Sequence, residues 1–111
     1  TFDSAQAATD LSLPELDASF VDATVTTRQG DTYVGQRYER DGSNVTILST
    51  TASDRLDRVT ENATQRTVDG QTVNVTTIDD RAIAVWTDEG TTTAVVVKGS
   101  ADRATAIAGE L

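Results

Sequence analysis

A chain of 111 residues suffices for one domain around a single modest core. It has no cysteine and no histidine, which excludes disulfides, thiol nucleophiles, Cys/His zinc sites and histidine-based triads together. A net charge of −9 leaves no basic stripe to replace phosphate counterions, so no nucleic acid is expected as a partner.

Residues 2–9 read as a short helix, with Asp3 as its cap, Gln6 in capping-box position and Phe2 placed to staple onto Ala7. Pro14 forces Leu13 into an extended conformation and ends that element. From Phe20 to Arg28 the chain alternates, with Val21, Ala23 and Val25 expected on one face. Gln29-Gly30-Asp31 turns it. Thr32 to Arg40 then sets Tyr33, Gly35 and Arg37 opposite Val34, Gln36 and Tyr38. Asp41-Gly42 is a hairpin signal, and Asn44 to Thr50 follows with Val45 and Ile47 facing together. Residues 20–50 are therefore predicted to form a three-stranded meander, apolar on one face and threonine-rich and charged on the other.

Ser53 to Asn62 switches to helical spacing, with Ser53 as cap and Leu56 and Val59 as apolar contacts. Strands resume over 64–68, 71–78, 81–87 and 91–98, with turns at Asp69-Gly70, Asp79-Asp80 and Asp88-Glu89-Gly90. Ser100 is expected to cap a closing helix in which Ala104, Ile107, Ala108 and Leu111 recur at spacings of three and four. Short turns make the pairing mostly antiparallel, and no strands are left over for a second layer. The expected fold is α+β: a single curved, mostly antiparallel sheet of six to seven strands, half-barrel-like, with helices on one face.

The chain carries 18 acidic against 9 basic residues, and Lys98 is the sole lysine. Scarce lysine with abundant Asp, Thr, Ala and Val resembles proteins of salt-accumulating halophilic microbes. Molar salt shortens the screening length to ~3 Å, so crowded carboxylates cease to repel strongly.

Several residues bear on function. Tyr33, Tyr38 and Trp86 could line an apolar surface that binds an acyl chain or peptide, although scarce aromatics in a small domain more often fill its core. The pairs Asp79-Asp80 and Asp88-Glu89 could flank a substrate or hold calcium, but turns favour aspartate and no Ca-loop pattern is present. Asn44, Asn62 and Asn74 open N-x-Thr sequons, which arise easily in a threonine-rich chain. No phosphate loop, nucleophile elbow or Ser-Lys pairing appears, so neither catalysis, a cofactor nor a bound metal is expected.

Taken together, the Ala-containing segment from Ser4 to Pro14, the meander from Val25 to Leu48, the Thr67–Gln71 turn, the Ala84–Gly90 corner with its tryptophan and the closing helix resemble DUF4367. This is a family of extracytoplasmic domains from membrane-anchored proteins, related to the lipoprotein-carrier and anti-sigma sensor half-barrels. The single proline after the first helix and the short segment that follows depart from the family's longer proline-rich loop. The resemblance implies a non-catalytic binding or sensing module for a lipid, peptide or partner protein, held near a membrane by segments outside this sequence. Thr1, which is not methionine, fits a processed fragment of such a protein. The alternative is a structural interaction domain without a small-molecule site.

Overall fold

The computed structural model describes residues 2–9, 11, 13–52, 63–88 and 90–111. Among these residues two helices, α1 (Phe2–Ala7) and α2 (Ala101–Ala108), flank seven strands: β1 (Ser19–Arg28), β2 (Asp31–Arg40), β3 (Ser43–Thr50), β4 (Thr64–Val68), β5 (Gln71–Ile78), β6 (Arg81–Asp88) and β7 (Thr91–Lys98). All seven join one antiparallel sheet in the order β1-β2-β3-β7-β6-β5-β4. The helix expected over 53–62 lies outside the described residues.

Local chemistry accounts for the hairpins. Asp41-Gly42 and Asp69-Gly70 both take positive φ at the two central positions, the I′ geometry whose twist matches that of the strands. Asp79 reaches φ 56 with no glycine after it, which a short polar side chain tolerates. The order of strands is a different matter. Residues 20–50 and 64–98 each form an antiparallel run of hairpins, and the two runs join through Thr46↔Val96 and its neighbours, so the last strand lies mid-sheet.

Alternation then sorts side chains to two faces. Val45, Ile47, Val73, Val75, Ala82, Ala84, Val95 and Val97 point to one side, where Ala104, Ile107 and Ala108 of α2 pack on them. α1 covers the other wing of that face: Ala5, Leu13 and Val34 form a second cluster with Phe2, Leu11, Ala23 and Val25. The helices thus share a face, as expected.

The sheet curls around α2. Going from β2 to β4 takes five steps across the sheet, about 24 Å if it were flat. Yet consecutive residues at the end of α2 reach both strands. A Cβ on Gly109 would stand 3.2 Å from Val68 on β4, and the Glu110 carboxylate receives both Nη1 and Nη2 of Arg40 on β2 at 2.6 and 2.7 Å. Arg40 also donates to the Asp17 carbonyl.

Three local expectations need correction. Val21 does not share a face with Ala23 and Val25: the register slips between Phe20 and Asp22, and the bulged Val21 is 50% exposed while Phe20 turns inward. Gln6 does not close a capping box. Its amide instead bonds the Leu11 carbonyl and the Leu13 N–H, fastening the extended segment to α1. Ser100 occupies the N-cap position with extended backbone, but its hydroxyl makes no capping bond; its carbonyl accepts from Arg103 and Ala104.

Candidate functional site

The three aromatic candidates do not meet on one surface. Tyr38 is buried on the helix-covered face, its ring edge-on to Phe20 with centroids 5.4 Å apart. Its hydroxyl donates to Gln36 Oε1 at 2.7 Å, and Gln36 Nε2 donates to the Pro14 carbonyl at 3.0 Å. Burial pushes the Tyr38 hydroxyl pKa up. This fully satisfied buried relay pins the segment after α1 onto β2. Gln36 was readable as inward-facing between Val34 and Tyr38, a buried amide that must find partners. Trp86 also faces the helices and packs against the main core. Tyr33 belongs to the opposite face, where its strand neighbours are Thr26 and Thr50.

The turn carboxylates separate too. Asp79 and Asp80 precede β6, while Asp88 is its last residue. Eight residues of strand hold the two turns about 23 Å apart at ~3.3 Å per residue. Consecutive turns of an antiparallel sheet fall at opposite ends, so Asp79 and Asp80 do not flank one substrate with Asp88, for which two carboxyls must lie within about 10 Å. Glu89 lies outside the described residues. Among the described residues no group of three or more acidic side chains could hold a metal ion.

Two of the sequons are on the sheet face away from the helices. Asn44 is exposed and Asn74 half-buried, each beside the threonine two residues on. Asn62 lies outside the described residues.

That same face holds what sequence reasoning missed. It is threonine-rich at its edges but apolar along its middle. Leu48, Ala94 and Val85 form one cross-strand row, and Val96 and Ile83 sit in the next beside Thr46. Leu48 is 37% exposed and lies over Gly35, whose Cβ would meet it at 3.5 Å. Val96 and Ile83 are half-buried, and Val85 and Ala94 are buried at 4% and 1%. The signal was present in the sequence: residues 82–86 and 94–97 are unbroken apolar runs, the pattern of strands buried on both faces.

At the end of this face near the Asp41-Gly42 and Asp79-Asp80 turns, an open concavity of about 510 Å³ forms. Arg37, Arg81 and Lys98 line it with Ser43, Asn44 and Asp80. Arg37 is anchored by Asp22 across β1–β2, through Nε to Oδ1 at 2.7 Å and Nη2 to Oδ2. That pair holds the Asp22 carboxyl below its ordinary range and raises the Arg37 pKa.

Every described carboxylate is exposed except the half-buried Asp31, which places the negative charge in solvent. No helix among the described residues is long and apolar enough to cross a membrane. In comparisons with known proteins, no family model, curated sequence or solved structure matches this chain.

Proposed function

We propose that this domain is a non-catalytic binding module that engages a peptide or protein partner through the sheet face opposite its helices, within the extracytoplasmic part of a membrane-anchored protein. The observation that carries the reading is the Leu48–Val96–Ile83 strip. Apolar side chains lie solvent-accessible on a sheet face, flanked on one side by the Asp22–Arg37 ion pair and on the other by Asn74 and Thr76. An apolar patch with a polar rim is the ordinary signature of a protein-binding surface. A lipid chain is the less favoured ligand, because α2, Tyr38 and Ile47 pack into the curl of the sheet where such a chain would lie. The open half-barrel form is also what a DUF4367-like module calls for.

A photo-crosslinking amino acid tests this. Placed at Leu48 in the full-length protein in its native cells, it should yield a discrete crosslinked product that the same group at Asp69 does not. Equal labelling at both positions, or none at Leu48, would overturn the reading.

A second reading is a structural domain that assembles through its sheet edge. The ten-residue β1 favours it, since it pairs only with β2 and leaves its other edge unpaired by any described strand. Light scattering separates the two: a dimer abolished by Thr24→Pro but retained by Leu48→Asp supports edge assembly.

A further inference from the structure

The β6–β7 hairpin sets Arg81 directly opposite Lys98 on the face away from the helices. Like charges directly opposite in an antiparallel pair destabilise it. With 18 acidic and 9 basic residues, carboxylates are the commoner charged residue for such a position, so a doublet of cations is not what composition supplies by default. Arg37 reaches the same concavity from β2, two strands beyond β7.

Compensation within the site is partial. Asp80 stands 3.9 Å from Lys98, a loose pairing between two exposed groups. Asp22 holds Arg37 from the β1 side. Among the described residues, no carboxylate comes within ion-pair distance of Arg81. Ser43 and Asn44, at the start of β3, add neutral hydroxyl and amide donors to the rim.

We infer that this concavity binds an oxyanion of the phosphate type, held between Arg81 and Lys98 and met by Arg37 and the donors of Ser43 and Asn44. Donors converge there from β2, β3, β6 and β7. A tetrahedral oxyanion presents oxygens in all these directions, whereas a planar carboxylate offers two in one plane. The volume falls in the range of small-molecule sites and exceeds a bare phosphate, so the group is the charged end of something larger. This site stands independently of any partner on the apolar strip.

The chain should be titrated with sodium phosphate, followed by amide NMR, against sodium chloride at equal ionic strength. Phosphate alone should give saturating shifts at Gly42, Ser43, Asn44 and Lys98. Arg81→Gln and Lys98→Gln should each weaken binding about tenfold, the loss of one charge-assisted contact. The melting temperature of Arg81→Gln without phosphate should not fall, since that change relieves the like-charge doublet and breaks no ion pair among the described residues. Shifts that chloride reproduces, or that persist at full affinity in both variants, overturn the proposal. The wild-type contrast of phosphate with chloride decides it even if a variant does not fold. Co-sedimentation with phosphatidylglycerol but not phosphatidylcholine vesicles, lost in Arg81→Gln, assigns the phosphate to a lipid headgroup. Saturation by free phosphate with no sedimentation assigns it to a soluble ligand.

Discussion

The β1–β2 hairpin and the β6–β7 hairpin are both tightly turned antiparallel pairs and have opposite fates. In β1–β2 one face is apolar and the other is threonine and charge, and the hairpin ends the sheet. In β6–β7 both faces are apolar, Ala82, Ala84, Val95 and Val97 on one and Ile83, Val85, Ala94 and Val96 on the other, and the hairpin sits in the middle. Strict alternation marks a strand that meets water, and an unbroken apolar run marks one that meets protein twice. The edge hairpin also carries the bulge at Val21, which twists the edge away from regular pairing.

The contrast can be broken by truncating each region. Ile47, fully buried where β3 meets β7, should cost about 2–5 kcal/mol as Ile47→Ala. Val25→Ala, half-buried on β1, should cost about 1 kcal/mol. Val21→Ala should stay within about 0.5 kcal/mol, because the bulge already exposes it. Urea midpoints would rank the three, and equal losses at positions 25 and 47 would erase the distinction between edge and centre.

Salt sharpens it on a different axis. The described carboxylates other than Asp31 are exposed, and cations pair with Asp22, Asp80, Asp102 and Glu110. Remaining self-repulsion should therefore relax as salt screens it, raising the melting temperature by several degrees between low and molar potassium chloride. A flat response would remove the case for a halophilic origin.

A small effect concerns the curl itself. Hydrogen bonding by Arg40 depresses the Glu110 pKa, so its contribution is present above the ordinary carboxyl range near pH ~4.3 and is lost as pH falls through the lower folded value. Because Glu110 is 41% exposed, that contribution is at most about 1 kcal/mol. Glu110→Gln should flatten the acid limb of stability over that window, seen in urea midpoints from pH 5 downward. An unchanged acid limb would show that the Arg40–Glu110 contact does not help hold the curl.

Much of this architecture was legible in local pattern. Asp-Gly turns, alternation and the spacing of Ala104, Ile107 and Ala108 suffice for the strands, both described helices and a single antiparallel sheet with the helices on one face. What was not legible is non-local. Nothing in the run of valines at 95–97 says that, beyond its hairpin partner β6, it pairs with Val45 and Ile47 and not with another strand. The phosphate-type site shares that blindness in part: the β6–β7 hairpin pairs Arg81 with Lys98 locally, but Arg37 joins them only through the β3–β7 junction. The bulge at Val21 is hidden for a subtler reason: Phe20 and Val21 are both apolar, and period-2 counting cannot say which of two adjacent apolar residues turns inward.

The β3–β7 junction also governs how the molecule must be made. Thr46 waits for Val96, and until residues 91–98 have emerged the chain can hold only two separate partial sheets, 19–50 and 64–88, each with an unpaired inner strand. Contacts of such sequence separation raise contact order and slow folding, because a long loop must close before they yield any stabilisation. During synthesis, β3 therefore presents a bare backbone edge while residues 51–90 are added, and β6 only briefly until β7 follows it. Abundant exposed acid is then useful before the fold exists: it keeps two incomplete, edge-bearing halves from pairing with those of a neighbouring chain.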